Sequence, residues 1–111
     1  MSSSIVQELE QQGQYPQKFA ELTESVLFGD MWKRTQLTPR ERSLTTVAAL
    51  VAMYRLEQLP FHLQRARDNG LSVDELNEAI THLAFYSGWP TAASALNLLR
   101  ELEAHPVSGQ E

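Results

Sequence analysis

Residue patterns typical of helix N-termini and C-termini recur along this chain, at distances that match the length of ordinary helices. Residues 38–41 and 72–75 each consist of Ser or Thr, two further residues and Glu, which is the capping-box pattern of a helix N-terminus. Asn69-Gly70 has the composition of a helix C-cap, and Gly88 stands at a second expected helix end. Between these signals apolar residues recur at helical spacing, so we predict an all-α fold.

The predicted fold is a compact helical bundle of about five to six helices. Its domain spans residues 15–105, with an arm or short helix over 1–14 before it and a flexible tail over 106–111 after it. Four residues of the first helix are expected to face inward: Phe19, Leu22, Val26 and Leu27. The predicted helices cover residues 15–34, 39–56, 60–69, 73–87 and 89–105.

Residues 47–54 are apolar around the whole circumference of a helix. Such a helix needs cover on every side, and a chain of 111 residues rarely surrounds one completely. One interpretation is a central helix inside a single subunit. The other, which we favour, is that a second copy of the chain covers part of it. The small residues of the run 91–95 would let that copy approach closely, so we predict a homo-oligomer.

Composition excludes several classes of partner. The formal net charge is -5, and phosphate binding requires a basic surface, so no nucleic-acid partner is expected. The first residues lack the features of a signal peptide and no apolar stretch could span a bilayer, so we expect a cytoplasmic protein without membrane association. The chain has no cysteine, which excludes disulfides, thiolate metal ligands and thiol redox chemistry within it.

Several short motifs follow one another between about residues 40 and 96. They are Arg40-Glu41-Arg42, Phe61-His62-Leu63, Asn69-Gly70 and the run His82-x-Ala84-x-Tyr86-x-Gly88-x-Pro90. Their order and spacing resemble the carboxymuconolactone decarboxylase family, which includes the alkylhydroperoxidase D-like proteins. The resemblance implies an alkylhydroperoxidase D-like all-α fold that assembles as dimers, trimers or hexamers, with trimers or hexamers as our expectation for this chain.

The peroxidase branch of that family carries a Glu, two cysteines in C-x-x-C spacing and a His four residues after the second cysteine. When this pattern is placed on His62, the cysteines fall at Arg55 and Gln58, and the Glu falls at Ser43. Neither Arg nor Gln can serve as a peroxidatic nucleophile. The resemblance therefore implies the decarboxylase branch and not a thiol peroxidase.

Family decarboxylases act on a lactone that bears a carboxylate. The conjugated lactone carbonyl accepts the electron pair left by carbon dioxide, so the chemistry needs no cofactor. The protein has to hold a carboxylate with a cation, stabilise an enolate oxygen and return a proton to carbon, in a fairly dry site. We expect no cofactor and no metal, since no third ligand accompanies the two central histidines.

Three residues are the catalytic candidates. Arg42 is expected to hold a carboxylate. His62 is expected to donate the proton, because an unperturbed histidine has a pKa near neutrality. It lies in the first turn of a helix predicted to begin at Pro60, where free backbone N–H groups favour an anion. Glu57 lies just upstream and is expected to orient the imidazole.

Three further residues are candidates for substrate binding. His82 and Tyr86 are four residues apart and should share a helix face, and Trp89 could form an apolar wall. Structural interpretations stay open for five of these six candidates: Arg42 solvated or paired with Glu41, the histidines on the surface, the aromatic rings in a core or an interface. The function is accordingly either a decarboxylase of a small carboxylated lactone or a related acid, or a non-catalytic oligomeric scaffold that binds a small molecule.

Overall fold

The computed structural model describes residues 15–105, and every regular element in that range is a helix. The prediction of an all-α fold is confirmed, whereas the predicted arm and tail lie outside the described residues. Two compact units follow one another, one ending at Pro39 and one beginning at Arg40. The α-helices of the described range are α1 (Gln17–Leu22), α2 (Pro39–Ala52), α3 (Leu59–Asp68), α4 (Val73–Ser87) and α5 (Trp89–Ala104).

In the N-terminal unit, α1 continues directly into a π-helix, Thr23–Phe28, and a short 3-10 helix follows at Met31–Lys33. The helix is interrupted between these two elements at Gly29, where a Cβ atom would lie 2.6 Å from the carbonyl oxygen of Glu24. The single helix predicted over residues 15–34 is therefore wrong. A π-helix has a wider turn than an α-helix, so the regular spacing assumed from the sequence does not hold through this stretch.

The residues of this unit that were expected to face inward are exposed. Their exposed fractions lie between 43% and 53%, because the short α1 has no long helix in the described part of its own unit to cover that face. Ala20 and Phe28 are buried instead, and the ring of Phe28 stacks on Trp32 with a centroid distance of 6.1 Å. The expectation is thus wrong for Phe19, Leu22, Val26 and Leu27.

Helix α2 ends earlier than predicted, at Ala52. The amide of Tyr54 donates to the carbonyl of Val51 over 3.1 Å, and the amide of Arg55 donates to that of Leu50 over 2.9 Å. This pair of hydrogen bonds is a Schellman motif, which requires a left-handed residue. Tyr54 takes that position with a φ of 62°, where glycine is the residue of lowest cost.

The connection from α3 to α4 follows the sequence prediction closely. Gly70 has a φ of 105°, and its amide donates to the carbonyl of Arg67, which closes α3 at the predicted C-cap. The capping box is complete: Ser72 Oγ accepts from the amide of Glu75 at 3.0 Å, and Glu75 Oε1 accepts from the amide of Ser72 at 2.9 Å. Gly88, with a φ of 112°, joins α4 directly to α5.

The core of the C-terminal unit lies where α4 packs on α5 and α3 packs on α5. The apolar stripe predicted for α4 is confirmed, since Leu76, Ile80 and Ala84 are buried. Residues 47–54, by contrast, are covered within their own unit at some positions and exposed at others. Val47 and Val51 are each 1% exposed inside the core of their own unit. Within the described residues, no helix combines the length and the apolar character needed to cross a membrane.

Candidate active site

His62 lies in α3, which begins at Leu59, one residue earlier than predicted. The backbone amide of His62 donates to the carbonyl of Gln58 over 3.4 Å, so it already belongs to the hydrogen bonding of the helix. The amide of His62 is therefore not one of the free N–H groups that the first turn of a helix offers to an anion. The side chain is half-buried, and its Nδ1 atom is shielded from solvent.

The surroundings of His62 depress its basicity. The imidazole and the ring of Phe61 are nearly perpendicular, with a centroid distance of 4.9 Å and an interplanar angle of 88°. Burial, and then the positive charge of Arg65, lower the pKa of His62 from 6.5 to about 4. An unperturbed histidine has a pKa near neutrality, and burial together with the cation one turn away accounts for the difference. At neutral pH the imidazole carries no charge.

Arg65 is the neighbour of His62 that sequence reasoning missed. Its side chain is half-buried, its Nε atom is shielded from solvent, and its Cζ atom lies 6.0 Å from the centroid of the Phe61 ring. Burial lowers the pKa of Arg65, while the charge of Asp68 opposes that shift. The spacing of three residues from His62 was the available signal, since it places both side chains on one face of α3.

The other two catalytic candidates occupy different environments. Arg42 is only 8% exposed within α2, so the interpretation of a solvated arginine is wrong. The next residue, Ser43, is 1% exposed and accepts a hydrogen bond from Asn69 Nδ2 at 2.9 Å. Glu57 is exposed in the connection between α2 and α3. The pKa of His62 is therefore set by burial and a cation rather than by the predicted Glu57 carboxylate.

The three substrate-binding candidates lie near the junction of α4 and α5. His82 and Tyr86 share a face of α4 as predicted, and their rings stack with a centroid distance of 5.0 Å. Trp89 is the first residue of α5, and its ring meets that of Phe85 edge-on at 6.2 Å. Tyr86 and Trp89 are 78% and 66% exposed, so the interpretation of both rings as core residues is wrong.

A surface groove of about 360 Å³ lies along α4 beside His82. Arg40 and Glu75 form an ion pair in its wall. The groove is also lined by Leu44, Leu71, Glu78 and Ala79. The structure thus assembles two groups of aromatic and polar side chains in this unit: Phe61, His62 and Arg65 on α3, and His82, Tyr86, Phe85 and Trp89 around the α4–α5 junction.

The family model described as carboxymuconolactone decarboxylase family matches residues 17–101. The chain belongs to this family. It is 34% identical to 4-carboxymuconolactone decarboxylase of Acinetobacter baylyi over 94 residues, which make up 85% of this chain and 70% of that protein. It is also 32% identical to nitrosuccinic acid decarboxylase npaB of Metarhizium robertsii over 76 residues, 68% of this chain and 53% of that relative.

Membership of the carboxymuconolactone decarboxylase family confirms the resemblance drawn from the sequence motifs. This member has no cysteine. At the positions of the peroxidatic pair, Arg55 follows the end of α2 and Gln58 directly precedes α3. This chain therefore has the helix that carries His62 but lacks the two thiols that a peroxidase of this family has just before it.

Proposed function

We propose that this chain is a cofactor-free decarboxylase of a small dicarboxylic acid that carries its own electron sink. Both curated relatives are named as decarboxylases, one of 4-carboxymuconolactone and one of nitrosuccinic acid. The proposal transfers that reaction class to this chain. The half-buried His62 is the observation that carries it, because it supplies a proton-transferring group in a partly dry setting.

The two named substrates share the chemistry that such a reaction needs. In each, a carboxyl group leaves from a carbon beside an electron sink, which is a conjugated lactone in one case and a nitro group in the other. The electron pair of the broken C–C bond moves into that sink and gives a dienolate or a nitronate, so the protein has no need of an external sink. Each substrate also has a second carboxyl group, which remains in the product.

His62 has the right chemistry to complete the reaction by returning a proton to carbon. Its pKa of about 4 describes the protein without ligand. A dianionic substrate beside the ring favours the imidazolium and raises this pKa again. The substrate thus brings the negative charge that allows His62 to bind a proton, and loss of carbon dioxide creates the carbanion that takes it up. Arg42 and Glu57 remain the other catalytic candidates.

The proposal includes a homo-oligomer, in which the aromatic surface of one copy covers another. We define this aromatic surface as Phe85, Tyr86 and Trp89, whose exposed fractions lie between 66% and 78%. Contiguous exposed apolar side chains of this size are typical of interaction sites. His82 adjoins Tyr86 and would line the same region as a substrate-binding residue.

The decisive experiment follows carbon dioxide release by the purified chain from 4-carboxymuconolactone and from nitrosuccinate. We expect turnover of at least one, and a loss of about 10²–10⁴-fold in His62→Ala if proton transfer limits the rate. Sedimentation should show the same oligomeric state for the unmodified protein and for His62→Ala. Binding of these acids without carbon dioxide release would instead support the alternative, a non-catalytic binding protein on the family scaffold.

A further inference from the structure

The α3 cluster, which we define as Phe61, His62 and Arg65, contains a cation that the proposed reaction has not yet used. Arg65 follows His62 by three residues, so the two side chains leave the helix on the same face. Phe61 contacts both of them: its ring packs against the imidazole at 4.9 Å and lies 6.0 Å from the guanidinium carbon. The ring therefore lies beside both the imidazole and the guanidinium.

We propose that Arg65 binds the carboxylate that the substrate retains, and thereby places the departing carboxylate beside His62. The identity of this ligand as a dicarboxylate rests on the proposed function. The carbon that loses carbon dioxide carries the retained carboxyl group on a short arm in both named substrates. A guanidinium one helical turn from the imidazole matches that separation, since side chains three residues apart on a helix have Cβ atoms about 5–6 Å apart.

Electrostatics favour an anion at this position. A half-buried guanidinium has lost part of its hydration, and burial lowers the pKa of Arg65, a shift that the charge of Asp68 opposes only in part. A bound carboxylate stabilises the charged guanidinium through charge-assisted hydrogen bonds. The same carboxylate offsets the repulsion between Arg65 and a protonated His62, so substrate binding and proton uptake support each other.

Three other arginines of this unit lie in different surroundings. Arg67, two residues further along α3, pairs with Glu103 of α5 at 2.5 Å. Arg40 pairs with Glu75 beside the α4 groove. Arg42 lies in α2 and is only 8% exposed. Arg65 is thus the arginine that shares a contact with His62, through the ring of Phe61. Arg67 lies on the same helix and serves as the control.

The direct test measures binding of succinate, an unreactive dicarboxylate, to the full chain by NMR of the His62 side chain. We expect succinate to shift the His62 resonances in the unmodified protein and in Arg67→Gln, and to bind about 10- to 100-fold more weakly to Arg65→Gln. Arg65→Lys should recover part of the affinity, since it keeps the charge but not the planar fork. An unshifted His62 signal, or equal affinity in Arg65→Gln, overturns the proposal.

A second measurement separates this inference from the proposed function. With whichever of the two acids the chain decarboxylates as substrate, Arg65→Gln should raise KM more than it lowers kcat, whereas Arg67→Gln should change neither. If the unmodified protein binds succinate through Arg65 but releases no carbon dioxide from either acid, the decarboxylase proposal fails while the carboxylate site stands. Unchanged kinetics in Arg65→Gln, together with normal turnover, would sink the carboxylate site alone.

Discussion

Asn69 donates a hydrogen bond from Nδ2 to the buried Oγ of Ser43 at 2.9 Å and so ties the end of α3 to α2. Asn69 is also the C-cap residue of α3, the helix that carries the α3 cluster. Ser43 stands at the position where the peroxidase pattern, placed on His62, has its glutamate. A position associated with redox chemistry in that pattern thus serves here to fix the helix of the candidate active site.

Asn69→Ala should lower the free energy of unfolding by about 1–2 kcal/mol, because it removes this hydrogen bond and leaves a buried hydroxyl without that donor. Urea denaturation measures the change. Asn97→Ala, on the exposed face of α5, is the matched control and should stay within about 0.5 kcal/mol of the unmodified protein. An equal, small effect of both substitutions would show that the link to Ser43 contributes nothing.

Gly88→Ala should destabilise the protein by about 1–3 kcal/mol, since a φ of 112° with a ψ of 147° lies in a region that only glycine occupies readily. The cost is conformational, because an added Cβ would meet its nearest atom, in Pro90, at 3.9 Å, an ordinary contact. Thermal unfolding of the variant checks the value. A melting temperature equal to that of the unmodified protein would contradict the backbone geometry described for the α4–α5 junction.

Helix boundaries marked by local signals were predictable from the sequence. The capping box at Ser72 and the C-cap at Gly70 depend on residues within one turn, so the local sequence contains the whole interaction. The end of α2 was not predictable in this way. Tyr54 takes the left-handed position without being glycine, and its hydroxyl lies 3.4 Å from Ser94 Oγ, which is distant in the sequence.

The candidate site was predictable only in part, for a similar reason. The motifs identified His62 and the His82–Tyr86 pair, whose ring stacking follows from helical spacing alone. The pKa of His62 depends on burial, which the local sequence does not specify. Arg65 was not predicted from the sequence, because a charged residue between other polar ones gives no indication that an aromatic ring partly covers it.

The aromatic surface yields a prediction about assembly. Phe85 is 75% exposed on α4, and Phe85→Glu should shift the protein to a lower mass in sedimentation velocity, because a charge in an apolar interface is poorly solvated. Asn77→Glu places the same charge on an exposed position of the same helix and should leave the mass unchanged. A stable monomer of the unmodified chain at micromolar concentration would refute the homo-oligomer.

The last prediction concerns stability against pH. Because the pKa of His62 falls from 6.5 to about 4 on folding, the unfolded chain binds a proton more readily than the folded one between those values. The stability gained by keeping the imidazole neutral is complete above pH 6.5 and is lost as the pH falls towards 4. After allowance for partial solvent screening, the loss is about 1–3 kcal/mol.

Urea denaturation at pH 7 and at pH 4.5 should therefore show a larger decrease in the free energy of unfolding for the unmodified protein than for His62→Gln, which has no titrating group at this position. A side-chain NMR titration of His62 should give a midpoint of about 4. Parallel losses in the two proteins, with a midpoint near 6.5, would mean that His62 is solvated in the folded chain and has no dry setting in which to transfer a proton.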